Sequence, residues 1–333
     1  MNAALMALIE EPGHVCYRYR VQAFEPWLAS RKMRFEVRAV PRKVLCKLGL
    51  FLYARKARVA LLQRKLLSVP ELWVLRRCSR KLVFDFDDAV YRRDSFDERG
   101  PDDWLRRMRF RMTMRAADVV VAGNDFLAGK ALEAGAGNVV VLPTCIDMTR
   151  YPYDSRGNRR QRRDPLELVW IGSSSTLPSI AARRDLWDEV GRRFRNVRLK
   201  VICDRFPDFE MLPLKKAPWS RASEVRDLKS SHGGVALLPE DDWSRGKCGL
   251  KVLQYMAAGL PVIANGVGVQ REMVANGWNG FVVDTVGDWM EAINILREEP
   301  SLAKRMGRRG RTVVRDRYDP AIWADRFLDI LEG

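Results

Sequence analysis

The residue types best suited to chemistry fall between Lys247 and Asp284, in the stretch KCGLKVLQYMAAGLPVIANGVGVQREMVANGWNGFVVD. A glycine-containing turn, Gly246–Gly249, opens a predicted helix at Leu250. Free N–H groups at a helix N-terminus, with the helix dipole behind them, bind phosphate. Lys247 and Lys251 are four residues apart, which predicts that both share one face of the helix start. Two ammonium groups beside free amides could hold a diphosphate. Gln254 comes one turn later, where its amide could bond a ribose hydroxyl. After Gly259–Leu260–Pro261 and a short strand comes Asn265–Gly266–Val267–Gly268, small enough to let a ligand approach the backbone. An ordinary helix–turn–strand unit with two surface lysines would have the same spacing.

A second group is Phe84–Asp85–Phe86–Asp87–Asp88–Ala89, at the end of an apolar run. Asp87 or Asp88 could orient or deprotonate a substrate hydroxyl. The alternative is an acidic pair that bonds backbone amides or nearby arginines. Asp85-x-Asp87 also resembles the opening of haloacid dehalogenase-type phosphatases. Their later acidic pair following a lysine is missing, however, and the motif lies on a fourth strand rather than the first. His14 follows Glu11–Pro12–Gly13 after the first strand; Arg18 and Arg20 come next, and Arg64 ends the third strand. These arginines could bind a phosphate on a substrate. A lone histidine more often has a structural task, and His232, just before a strand, is read that way.

These groups need a scaffold that collects strand ends. Apolar runs predict strands at 4–9, 35–40, 58–63, 81–86, 119–122 and 138–142, with helices at 21–32, 42–55, 104–117 and 126–134. The pattern restarts with strands at 166–171, 198–203, 234–238, 261–264 and 280–283. Helices are predicted there at 180–194, 222–229, 250–258, 269–275 and 287–298, and two more close the chain at 301–318 and 320–331. Strands apolar throughout indicate parallel sheets covered on both faces. Strand–helix alternation then indicates doubly wound α/β domains, whose ligands bind beyond the carboxyl ends of the strands. The expected organisation is an N-terminal Rossmann-like domain over 1–153, a polar basic linker over 154–165 and a C-terminal Rossmann-like domain over 166–318.

The chain has 333 residues, a length that suits two domains. It has 47% hydrophobic and 30% charged residues, which excludes wholesale disorder. No run of about 18 apolar residues predicts a spanning helix, and the start lacks the basic region of a signal peptide. The six cysteines are widely spaced and there are only two histidines, so neither a disulfide framework nor a zinc enzyme is expected. A reduced, cytoplasmic protein is the expectation. The net charge of +17 is uneven: residues 1–165 carry +14 and the rest +3. Such asymmetry suggests an anionic partner, or simply a surface rich in arginine. In Arg42–Leu67, the apolar Val44, Leu45, Leu48, Phe51 and Leu52 recur at helical spacing among Lys43, Lys47, Arg55 and Lys56. A helix of this kind suits an anionic membrane surface, and equally a core-facing helix with a basic outer side.

The Lys247–Asp284 block strongly resembles the donor-binding block of GT-B glycosyltransferases, family 4 in particular. All fixed positions of the branch pattern GKxGxKxxQYMAxGxPVIAxxxGxxxE are present, ending at Glu272. Val169–Trp170–Ile171–Gly172–Ser173–Ser174–Ser175–Thr176 looks like the family's first C-domain strand and phosphate loop. Trp219 and Glu224 resemble the approach to the donor helix, and Phe84–Ala89 the branch's strand-end DxDDA. The likeness covers about four-fifths of the chain and is weakest before residue 60.

The resemblance implies a GT-B fold: two Rossmann-like domains facing each other across a cleft, with the last helix, 319–333, packing back on the first domain. It implies a metal-independent, retaining glycosyltransferase using a nucleotide diphosphate sugar as co-substrate and no other cofactor. The expected acceptor is a cell-envelope saccharide or lipid-linked glycan, at the inner face of the cytoplasmic membrane. The donor residues implied are Gly172, Ser173, Ser174, Thr176, Trp219 near the nucleobase, Lys247, Gly249, Leu250, Lys251 and Gln254. His14, Arg18, Asp87 and Asp88 are the candidate catalytic residues on the acceptor side. Two departures stand out: the family's Glu-x7-Glu pair is replaced by Gly246 and Gln254, and the phosphate loop lacks its usual Arg and Lys. Lys247 and Lys251 are expected to supply that charge instead. The alternative is a decayed GT-B protein that binds an anionic membrane or partner. A nucleotide-sugar epimerase shares the fold, and no motif supports nucleic-acid binding.

Overall fold

A computed structural model describes residues 4–152 and 165–332. It divides into two compact units. One holds the described residues of Met1–Cys145, Asp241–Cys248 and Pro320–Gly333; the other holds those of Ile146–Glu240 and Gly249–Asp319. Apart from Pro165, the expected linker lies outside the described residues.

The first unit has six strands: β1 Leu5–Ile9, β2 Phe35–Ala39, β3 Val59–Gln63, β4 Lys81–Phe86, β5 Val119–Ala122 and β6 Val139–Val141. All described pairings are parallel, in the order β2-β1-β3-β4-β5-β6. Because side chains alternate along a strand, each strand feeds two cores. Met6, Leu8, Ala60, Leu62, Phe84 and Val120 enter one cluster. Leu5, Ala7, Leu61, Val83, Val119 and Val121 enter the other, which the C-terminal helix Pro320–Glu332 covers with Ala324, Phe327, Leu328, Ile330 and Leu331. The Phe327 ring stacks on Phe24 with centroids 4.4 Å apart.

The second unit has β7 Leu166–Ile171, β8 Val197–Cys203, β9 Leu214–Pro218, β10 Gly233–Ala236, β11 Val262–Ala264 and β12 Gly280–Val282. Their order, β12-β11-β10-β7-β8-β9, is also fully parallel. Numbered from its own first strand it reads 3-2-1-4-5-6, the Rossmann order, with its switch point between β7 and β10. Under the sheet, Lys200 reaches Glu167 and also bonds Ser230 Oγ (2.8 Å), Ser231 Oγ (2.9 Å) and the Asp227 carbonyl (3.0 Å). These bonds satisfy a fully buried ammonium group.

Several elements differ from the sequence expectation. The helix expected at 21–32 is a 3-10 turn, Gln22–Phe24, followed by the helix Glu25–Ser30, and the helix Val15–Arg20 ahead of it was not expected; that at 180–194 is broken into Pro178–Ala181 and Arg184–Arg193. The helix Val69–Cys78 and the edge strand β9 were not expected. Residues 241–248, expected with the second domain, group with the first unit. Residues 146–152 group with the second, where the Ile146 amide donates to Tyr318 O (2.8 Å) and that of Met148 to Asp319 (3.3 Å). No helix among the described residues is long and apolar enough to cross a membrane.

Candidate functional site

The first unit gathers a charged cluster where β3 and β4 end. Asp87 and Asp88 follow β4, and Arg64 follows β3. One guanidinium nitrogen of Arg64 lies 2.9 Å from Asp87 and 2.7 Å from Asp88, and it also touches Cys16. Lys247 Nζ completes the group 2.8 Å from Asp88. Arg64 sits at φ +58°, a conformation that bulky residues rarely adopt; its amide donates to Asp85 O (2.8 Å). Backbone strain of this kind costs on the order of 1–3 kcal/mol and persists only where the surroundings over-determine it. Burial works to raise the Asp88 pKa, but Lys247 and then Arg64 bring it down to about 2. A carboxylate so poised is a weak base. Burial first, then Asp87, pushes the Cys16 and Cys248 thiols upward, so neither is an activated nucleophile.

Residues 241–248 are held against this cluster. Asn124 donates to Lys247 O (3.2 Å) and Arg245 O (3.4 Å), while its own carbonyl caps the helix Asp125–Glu133 through the Leu127 amide (2.8 Å). Cys248 Sγ reaches Asp87 O at 3.3 Å. A Cβ on Gly246 would lie 3.0 Å from both the Cβ and the amide of Ala89. The glutamate that the resemblance leads one to expect at position 246 therefore has no room unless the segment lifts. The helix begins at Leu250, so Lys247 precedes it and does not share its face with Lys251. Instead Lys247 pairs with Asp88 and lies 4.4 Å from the Trp243 ring centroid. The expectation of two lysines side by side on the helix start is corrected accordingly.

The remaining first-unit candidates have local tasks. His14 caps the helix Val15–Arg20, its Nδ1 accepting from the Cys16 amide at 3.3 Å. The Arg18 guanidinium lies over the Tyr19 ring at 4.6 Å. Arg20, considered for phosphate binding, is fully buried; it grips Asp85 through Nε (3.0 Å) and Nη2 (2.6 Å) and donates to Leu142 O (2.6 Å). Gln63 also donates to Asp85, at 3.1 Å. This buried pair went unread because Arg20 and Asp85 are 65 residues apart. Arg64 is likewise committed, to Asp87 and Asp88.

In the second unit the loop after β7 holds Gly172, Ser173, Ser174 and Thr176. A Cβ on Gly172 would lie 2.3 Å from the Trp170 ring and 2.6 Å from Thr176 Oγ1, so only glycine fits. Two loop amides already have acceptors: Ser173 donates to Thr176 Oγ1 (3.2 Å) and Ser174 to Asp204 (2.6 Å). Gly249, at φ +68°, precedes the helix Leu250–Ala257, and no side chain caps that helix. Its first-turn amides, from Leu250 onward, therefore point beyond the helix start. Lys251 Nζ lies 5.2 Å from the Trp170 ring centroid, and Gln254 is buried at 4% exposure. Trp219 is 42% exposed and donates to Glu224 at 3.0 Å.

Two six-stranded parallel sheets flanked by helices, the second in Rossmann order, define a GT-B fold. Residues 231–313 match the family model of glycosyl transferases group 1. A D-inositol 3-phosphate glycosyltransferase from Actinosynnema mirum is 26% identical over 239 residues, 63% of this chain and 56% of its own length. The chain spans 20% and 56% of the lengths of the curated relatives it matches. Among solved structures, sucrose-phosphate synthase from Thermosynechococcus elongatus matches with TM-score 0.74 at 15% identity, over 98% of both chains. Anabaena Alr3699/HepE, in complex with UDP and glucose, matches with TM-score 0.69 at 14% identity, over 100% of both chains.

The Asp88 carboxyl has its pKa lowered in the folded state, so its contribution is present above the unfolded value near 3.8 and is lost as pH falls through about 2. Replacing Asp88 by Asn should remove about 2 kcal/mol of stability at neutral pH and flatten the decline in stability between pH 4 and 2. Urea unfolding of both proteins across that range checks this; parallel acid limbs would contradict it.

Proposed function

We propose that the protein transfers a sugar from a nucleotide diphosphate sugar to a hydroxyl of a glycan or glycolipid acceptor, with retention of configuration and without a metal ion. The observation that carries this reading is the uncapped helix start at Gly249–Leu250. It lies within the stretch that matches glycosyl transferases group 1, in a unit of Rossmann order. The donor diphosphate would accept from the first-turn amides and from Lys251. Ser173 and Thr176 would add hydroxyls, Gln254 would meet the ribose and Trp219 the base.

In the proposed reaction the acceptor oxygen attacks the anomeric carbon from the face the diphosphate leaves. The bond from that carbon to the phosphate oxygen breaks as the new glycosidic bond forms. Asp88, held at about pKa 2, is a poor acceptor for the hydroxyl proton. The departing diphosphate oxygen takes it instead. Catalysis then rests on stabilising that leaving group and holding the acceptor close.

We further propose that the first unit rests on an anionic membrane surface. The helix Val44–Ala54 buries Phe51 and Ala54, yet leaves Leu45 82%, Val44 58% and Leu52 54% exposed, with Lys43, Arg55 and Lys56 exposed around them. Trp73 on the helix Val69–Cys78 is 60% exposed, with Arg77 5.1 Å from its ring centroid. Apolar side chains ringed by cations suit a headgroup layer.

Two measurements test these readings. Titration of UDP, GDP, ADP and dTDP, followed by release of the matching nucleotide from its sugar conjugates, should single out one base. Replacing Lys251 by Ala should weaken that binding by about tenfold or more; no binding of any of the four would contradict the transferase reading. In sedimentation with phosphatidylglycerol vesicles the protein should co-pellet and Leu45→Asp should not. Equal binding to neutral vesicles would remove the membrane reading.

A further inference from the structure

The first sheet has its own switch point, between β1 and β3, where the chain leaves in opposite directions and a crevice opens. A pocket of about 330 Å³ lies there, large enough for a substituted monosaccharide. Its wall includes Glu10 after β1, Arg64 and Lys65 after β3, Arg106 and Arg109 from the helix Trp104–Ala116, and Trp243. Four cations thus surround one carboxylate.

Their existing partners differ. Arg64 is neutralised by Asp87 and Asp88. Lys65 Nζ stands 3.9 Å from Glu10. Arg106 donates to Arg92 O (2.8 Å) and lies 3.6 Å from Asp103. Arg109 is half-buried, and among the described residues it has no carboxylate within ion-pairing distance. Arg106 and Arg109 are three residues apart, so both point from one face of their helix. A guanidinium offers a planar fork of donors that matches a phosphate or carboxylate, and a half-buried one without an anion has unmet hydrogen-bonding capacity. Trp243 gives the pocket an aromatic wall, a surface that packs against the C–H face of a sugar ring.

We propose that this pocket receives an anionic sugar, the acceptor bearing a phosphate or carboxylate group, with Arg109 and Arg106 gripping the anion and Trp243 facing the ring. The proposal rests on the glycosyltransferase reading for the word acceptor; the binding itself is independent of turnover.

Calorimetric titration of the intact protein with glucose 6-phosphate, glucuronate and glucose tests it. At least one anionic sugar should bind measurably while glucose does not, with affinity falling as salt is raised. Preference for glucose 6-phosphate assigns a phosphate, and the reverse preference a carboxylate. Arg109→Ala should weaken that binding by about tenfold or more. Arg106→Ala, at a more exposed position, should weaken it less and guards against loss of fold. Equal binding of glucose, no binding of either anion, or unchanged affinity in both variants would overturn the proposal. UDP, GDP, ADP and dTDP titrated on the same samples report separately on the second unit. Absence of binding by all four, with retained, Arg109-dependent sugar binding, would remove the transferase reading and leave the pocket standing.

Discussion

Two adjacent carboxylates at the end of one strand repel each other unless cations hold them, and the first unit is arranged around that constraint. Asp87 and Asp88 share the Arg64 guanidinium, and Asp88 takes Lys247 as well. Meeting this demand fixes Arg64 in a left-handed backbone conformation. It also draws a segment distant in sequence, residues 241–248, onto the first sheet. Gly246 then packs on Ala89, and Cys248 reaches the Asp87 carbonyl. The departure from the family pattern at Gly246 thereby acquires a physical reason. A glutamate there would collide, and the neighbouring lysine answers a carboxylate of its own chain.

The two units handle their polar groups differently. In the first, the carboxylates Asp85, Asp87 and Asp88 at the end of β4 are each paired with a cation, while Arg109 in the pocket is still open to an anion. In the second, the buried pair Glu167 and Lys200 lies away from the carboxyl ends of the strands. The β7 loop satisfies two of its own amides, and the helix start at Leu250 keeps its first amides uncapped.

Much of the fold was legible in the sequence. Eleven of the strands appear as apolar runs, because parallel strands are covered on both faces and need no polar alternation. The strand β9, LKKAP, escaped because it lies at a sheet edge and is half polar. The helix Val69–Cys78 could have been found, since Ser68 and Glu71 form a capping box at its start. The site was less legible. Spacing placed Lys247 and Lys251 on one helix, but the left-handed Gly249 starts the helix later and separates them. Neither the Arg20–Asp85 pair nor the positive φ of Arg64 leaves a local pattern, because each is imposed by residues brought together only in the folded chain.

Asp88 and Lys247 act as one coupled unit that holds residues 241–248 in place. Hydrogen exchange of the amides in that segment, measured for the wild type, Asp88→Asn, Lys247→Met and the double variant, tests it most directly. Each single change should speed exchange to a similar degree, and the double variant should add little to either, as expected when both remove the same interaction. Additive acceleration, or no change in the segment, would show that the two residues do not act as a unit.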